Sequence, residues 1–202
     1  MMPRVGTESS ESRRSAEITE ALLDIVDRHG LDRVSVREVA AQAGVSIGTV
    51  QHYFPTKDTM LSGAYDEVVR RLRARLSAVR LGEDVRQNLS VVLRELLPLD
   101  KRRVAEVRIH LAFAARAATV PGLATTQRAA LAEMHEALAD ALNAAWGSAP
   151  GEVRAELAAH AALAMADGLA LHAVSSGRWL SRREQAEALE LGLDALLALE
   201  PR

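Results

Sequence analysis

The stretch "VSIGTVQHYF", Val45 to Phe54, decides how this chain is read. It carries no formally charged side chain, although 26% of the residues are charged. It is also rich in weak helix formers: Ser46, Gly48, Thr49 and the β-branched Ile47 and Val50. Yet helical signals stand on both sides of it. "SVRE" (Ser35 to Glu38) reads as a capping box, with the serine hydroxyl accepting from the Glu38 backbone and Glu38 reaching back. The helix it opens runs to about Ala43, and Gly44 breaks it. Ser46 is placed to cap a short second helix, and Pro55 ends that helix because the residue before a proline disfavours helical geometry. Thr56 caps a long helix from Lys57 to about Arg80.

Two short helices joined at "AGVS" form a helix-turn-helix, whose tight turn commonly contains glycine. Val39, Ala40, Val45, Val50 and Phe54 supply the apolar contacts that lock the pair onto a first helix, striped by Ile18, Leu22, Ile25, Val26 and His29 and stopped at Gly30. The second helix of such a module lies in the major groove and presents its N-terminal residues to base edges. Small, neutral donors and acceptors suit that task better than bulk charge. Ser46, Ile47, Gly48, Thr49, Gln51 and His52 are therefore the candidate base-facing set, with Gln51 able to pair with an adenine edge. Arg37, Tyr53 and Lys57 flank it as backbone holders, and Ser35 caps the helix that carries Arg37. From Arg33 to Lys57 three basic residues stand against one acidic residue, whereas the first 60 residues hold 7 Lys/Arg against 9 Asp/Glu. The case for DNA thus rests on local geometry and not on global basicity.

Outward from this module, the pattern is helical throughout. Expected helices are Val85 to Leu97, Lys101 to Ala118, Leu123 to Trp146, Glu152 to Ser176 and Arg182 to Leu199, separated by Gly82, Pro98, "VPG", "GSAPG" and "SSGR". No strand alternation occurs. The fold class is all-α, about nine helices, with an N-terminal three-helix module ahead of a helical bundle. The expected division is a disordered tail over 1–12, the DNA-binding module over 13–56, and an effector-binding and dimerisation domain over 57–202. Aromatics are 3% of the chain, so the core must be aliphatic. The absence of cysteine excludes disulfides, thiol nucleophiles and Cys-ligated metals. With no signal-type N-terminus and no uninterrupted apolar run of membrane length, the expectation is a cytoplasmic chain without a membrane partner.

The run from Arg13 to about Leu61, including "GLDRVSVREVAAQAGVSIGTVQHYFPTKDTML", resembles the TetR family of bacterial transcriptional regulators. Helix order, spacing and the "F-P-x-K" exit into the fourth helix match together, and "HYF" ahead of the lysine is similar to the BetI-like branch. "MADGLALHAVSSGRWLS" (Met165 to Ser181) extends the similarity with less specificity. The resemblance implies a homodimer on a double-stranded DNA operator, a C-terminal domain that binds a small molecule, and dimerisation through the last two helices. It maps DNA contacts onto Arg37, Ser46, Thr49, Tyr53 and Lys57. The commonest family pattern has tyrosine where this chain has Gln51, which makes base reading at 51 a hypothesis of its own.

In the C-terminal part, the helix from Glu152 is packed with small residues, and Leu189, Leu193, Leu196 and Leu197 stripe the last one, with Leu191 and Leu199 widening the apolar surface. A helix apolar around so much of its circumference needs partners on more than one face. Leu157, Ala161, Ala164, Gly168, Leu189, Leu193, Leu196 and Leu197 are the candidate homodimer surface, with intramolecular core as the alternative. Candidate effector contacts are His110, Phe113, Met134, His135, Trp146, Asp167 and His172, although a lone histidine of this kind is more often a satisfied core or surface residue than a ligand contact. Two Trp, two Tyr and two Phe, two of them inside the DNA module, are too few for a rich aromatic cage. The expected effector is therefore apolar or weakly polar, and no cofactor or metal is expected. Two other readings stay open: a constitutive DNA-binding dimer without an effector, and a helical-bundle enzyme. The enzyme reading finds no nucleophile elbow, H-E-x-x-H pair or phosphate-cradling loop.

Overall fold

The computed structural model describes residues 5–30, 33–147, 151, 153–176 and 180–198. Among the described residues there are nine helices and no strand: α1 (Val5–His29), α2 (Val36–Ala43), α3 (Ile47–Tyr53), α4 (Lys57–Ala78), α5 (Val85–Arg94), α6 (Lys101–Ala117), α7 (Pro121–Trp146), α8 (Val153–Ser175) and α9 (Arg182–Leu197). Several helix ends depart from expectation for local reasons. α1 starts at Val5, inside the tail expected to be disordered. Its apolar stripe begins only at Ile18, and the stretch before it has no proline after Pro3 to stop the helix extending beyond its packed part. α7 starts on Pro121 instead of after it, because a proline at the first helical position loses no hydrogen bond. α5 ends at Arg94, three residues short of Leu97. Residues 1–4, Leu199 and the 177–179 part of the C-terminal similarity lie outside the described residues.

Two cores organise the chain. The first joins α1, α2 and α3 to α4 and α6, through Ile18, Leu22, Val26, Val39, Val50, Phe54, Met60, Tyr65, Ile109 and Phe113. It runs straight across residue 56, so α4 and α6 belong to the packing of the N-terminal module as much as to the bundle. The second joins α5, α7, α8 and α9. Phe54 reaches α4 only because position 63 is glycine: a Cβ there would lie 2.5 Å from Phe54 Cε1.

α8 is apolar enough in composition to approach a membrane span, with mean hydropathy 1.4 over 18 residues. Seven of its residues, six alanines and Leu163, are buried in this chain. Spacing puts Val153, Leu157, Ala161, Ala164, Gly168 and Leu171 along the other face, where Leu157 is 64% exposed. Leu191 of α9 is 74% exposed. Leu189 and Leu193, read as partner contacts, are corrected to intramolecular core: both are fully buried between α9 and its neighbours, and Leu196 and Leu197 pack half-buried against the same cluster.

Candidate nucleic-acid interface and effector cavity

The reading head is assembled by short-range bonds. Glu38 N–H donates to Ser35 Oγ at 3.2 Å. This is one half of the expected capping box; no return bond from Glu38 exists among the described residues. Gly44 closes α2 at φ 65°, a left-handed conformation that glycine adopts without Cβ strain. Ser46 then caps α3, accepting from Thr49 N–H at 3.0 Å, and the two hydroxyls lie 2.8 Å apart. The capping thus offsets the weak helicity of the segment, while Val50 and Phe54 dock it into the first core. Thr56 opens α4 with a reciprocal box to Thr59.

This docking leaves Ile47, Gly48, Gln51 and His52 exposed on one side of α3, with Thr49 and Tyr53 half-buried beside them. The His52 and Tyr53 rings meet edge to face at 5.2 Å. Arg37 and Lys57 are exposed on the flanking helices. The sequence-derived set is therefore carried by α2, α3 and the first residue of α4, with Ser35 and Ser46 serving as caps. Ser46 and Thr49 hydroxyls bond each other, so a contact to DNA from either draws on its second lone pair or proton.

Behind the head, α4 becomes the wall of a cavity of about 200 Å³ between α4, α6, α7, α8 and the link after α5. Its apolar lining includes Val68, Leu72, Val107, Met134 and Leu163. Tyr65 forms one side, its ring stacked on buried Phe113 at 3.9 Å and facing His110 at 6.1 Å. Burial, with the charges of Asp167 and Asp66, pushes the Tyr65 phenol up to about 12, so it keeps its proton. His110 Nε2 lies 3.5 Å from Asp167 Oδ1. Of the sequence-derived effector candidates, His110, Met134 and Asp167 line this cavity, and Phe113 backs Tyr65 from outside it. The others are not brought there. His135 turns into a separate open groove along α7, its ring 3.8 Å from that of His160; burial and the His160 charge hold it below the usual histidine range. Trp146 donates to the Leu197 carbonyl at 3.3 Å, and His172 is exposed near the end of α8.

What sequence reasoning missed is a charged network along the cavity wall. Buried Arg71 of α4 donates to Glu67 at 2.8 Å and pairs with Glu20 of α1. Arg75 joins Glu95 and Glu106, each pair at 2.9 Å or closer, and Arg103 lies 3.4 Å from Glu95. Burial pushes the Glu106 carboxyl up, against the pull of Arg75, Arg71 and Arg102. The signal was present in the spacing: Arg71 falls in phase with Ala64 and Val68, and Glu106 with Ile109 and Phe113, all of them buried. Elsewhere, Arg116 at the end of α6 donates twice to Asp58 at 2.9 Å, clamping α6 to the first turn of α4.

Known protein families match both the N-terminal and the C-terminal part of the chain. Residues 18–64 match the bacterial regulatory proteins of the tetR family, and residues 85–198 match the C-terminal domain of BetI-type transcriptional repressors. The BetI regulator of Stenotrophomonas maltophilia is 30% identical over 170 residues, covering 83% of each chain. A transcriptional regulator from Rhodococcus sp. superposes with a TM-score of 0.82 at 40% identity, over 91% of this chain and 96% of that one. A regulator from Saccharomonospora viridis, solved in complex with choline, shares the fold at 19% identity with a TM-score of 0.76, over 93% of this chain and 97% of that one. Its docked α3, the order of the nine helices among the described residues and these matches make the chain a DNA-binding transcriptional regulator of the TetR family, with a C-terminal domain of the BetI type, and not an enzyme.

Proposed function

We propose that this regulator is a ligand-responsive repressor, acting in the cytoplasm, that binds a palindromic operator as a homodimer and is released by a small-molecule effector. The observation that carries the reading is that one helix, α4, both follows the reading head directly and walls the cavity. The division at 56/57 is then a division of labour along a continuous core. Two heads must match half-sites one turn apart, roughly 34–36 Å. A small tilt of α4 driven from the cavity is enough to spoil that spacing. The effector moves the equilibrium only by its differential affinity for the two states.

The exposed apolar face of α8 with Leu191 of α9 supports a two-fold, self-complementary contact. Leu157, Ala161, Ala164 and Gly168 are the contact residues on this reading, and the small Ala161, Ala164 and Gly168 let two helices approach closely. The cavity counts against a constitutive DNA-binding dimer. The choline-bound relative supports an effector of small size, in keeping with a cavity of about 200 Å³.

The test is selection of operator half-sites from random duplexes, followed by anisotropy titration of the selected site. A two-fold symmetric site bound by a dimer is expected, and a non-symmetric or monomer-bound site overturns the reading. Gln51→Ala should relax preference at one position per half-site, by about 1–3 kcal/mol, while leaving stability unchanged. Unaltered preference at every position removes Gln51 from base reading.

A further inference from the structure

Building on the effector-cavity reading, we infer that Glu106 is the polar anchor of the cavity and that the ligand it selects is a small primary or secondary amine with an apolar body. Glu106 is 3% exposed and lines the cavity, and neither of its carboxylate oxygens accepts a hydrogen bond among the described residues. Arg75 Nη1 lies 2.9 Å from Oε2 but off the hydrogen-bonding direction, and the nearest nitrogens of Arg102 and Arg71 are at 3.8 and 3.9 Å. A buried acceptor without a donor is a strong local demand for one.

The cavity's own cations do not meet that demand in the arrangement they hold: Arg75 is the nearest, and its Nη1 lies off the direction of Oε2 while its Nε serves Glu95. Arg73 donates to Glu133, Arg75 Nε to Glu95, and Arg103 Nε to Asp100. The wall holds four carboxylates (Glu95, Glu106, Glu133, Asp167) against three guanidiniums, so a cation restores the balance and an anion worsens it. A quaternary ammonium brings charge without an N–H, and it meets one tyrosine face where it needs a cage. A neutral alcohol brings a donor without the charge. An alkyl amine brings both, and its chain fits the apolar lining. An amine of this kind differs from the expected apolar or weakly polar effector by its charged head.

The same residue connects the ligand to the head. Glu106 faces Arg71, and Arg71 holds Glu20 of α1. An N–H donor that takes the Glu106 carboxylate redistributes the Arg71 and Arg75 side chains between their remaining partners, at the joint where α1 meets α4.

The test uses the full-length, DNA-free protein and three probes of equal chain length: hexylamine, 1-hexanol and hexyltrimethylammonium, titrated by calorimetry. Hexylamine should bind at least tenfold more tightly than either of the others. Glu106→Gln, checked for folding by circular dichroism, should lose at least tenfold for the amine while hexanol changes by less than about threefold. A measurement on wild type is independent of that variant: in a glutamate 13Cδ spectrum, one carboxyl resonance should move with hexylamine and stay with hexanol. Absent amine binding, equal binding of hexanol or the quaternary ion, no moving resonance, or undiminished amine binding by folded Glu106→Gln each overturns the anchor. Operator selection decides the regulator reading separately: if selection fails while the amine preference holds, the anchor stands and the repressor reading falls.

Discussion

The reading head and the cavity wall solve the problem of filling an interior in opposite ways. Around α3 the buried side chains are Val39, Ala40, Val50 and Phe54, met by Ile18, Leu22 and Val26 from α1, with no charge among them. Around the cavity, less than the length of α4 away, the interior admits Arg71 and Glu106 and the half-buried Arg75, Glu95 and Arg103. A neutral close-packed core has one good arrangement and resists deformation. An ion-pair network has several arrangements of similar energy, since each guanidinium here faces more than one carboxylate. The head is thus built to hold a shape, and the wall is built to change partners. Arg71 and Glu20 sit on the seam between the two.

The most severe way to break this contrast is in the head. Phe54→Ala removes a 7% exposed ring that fills the groove left by Gly63, and should cost about 3–5 kcal/mol in denaturant unfolding. Operator binding should be lost at every ligand concentration, because the docking of α3 is lost with the ring. Near-normal operator affinity in a folded Phe54→Ala protein would mean that α3 is held by its caps and not by its core.

A smaller but more selective effect is expected at the seam. Arg71→Met keeps apolar bulk and removes the charge that Glu20, Glu67 and Glu106 share. Glu67 retains Arg70 and Glu106 retains Arg75, so the cost should be about 2 kcal/mol instead of the full penalty of an orphaned buried charge. The informative readout is the coupling: operator affinity without ligand should fall by less than tenfold, while the ligand-induced loss of affinity should shrink. Undiminished coupling would place transmission in the apolar contacts of α4 and α6 and reduce Arg71 to a structural ion pair.

How much of this was legible beforehand follows from the range of the interactions. In the head, the deciding bonds span three residues: Ser35 with Glu38, Ser46 with Thr49, Thr56 with Thr59. Such pairs are written in adjacent letters, as are the turn at Gly44 and the stop at Pro55. The cavity draws on residues from Tyr65 to Ala170 in four helices and the link after α5, and which of their faces converge is set by helix packing. His110 and His135 look alike in sequence, each in phase with apolar neighbours, yet one meets Asp167 in the cavity and the other meets His160 in a different groove. Leu157 and Leu189 look alike too, and one is exposed while the other is core. Arg71 and Glu106 were the readable exception, since a charge in register with a buried stripe must find a partner inside the fold.

The seam has a second ion pair, and its expected weakness sharpens the role of the first. Asp58, in the first turn of α4, accepts two bonds from Arg116 of α6, but both side chains are well exposed. The Arg116 hydrogen bond, opposed slightly by burial and aided by the guanidinium charge, holds the Asp58 carboxyl below its ordinary value. A depressed carboxylate contributes stability above its unfolded pKa of about 3.9, and that contribution disappears as pH falls through the lower folded value. Asp58→Asn should therefore lower the melting temperature slightly from about pH 5 to pH 8, by less than roughly 2 °C, and not at all in strong acid. Salt should shrink the difference, because exposed charges are screened within about 10 Å at 0.1 M ionic strength. If Asp58→Asn instead weakens ligand coupling as much as Arg71→Met does, the signal crosses at the solvent-exposed end of α6, and the buried Glu20–Arg71–Glu106 series loses its claim to carry it.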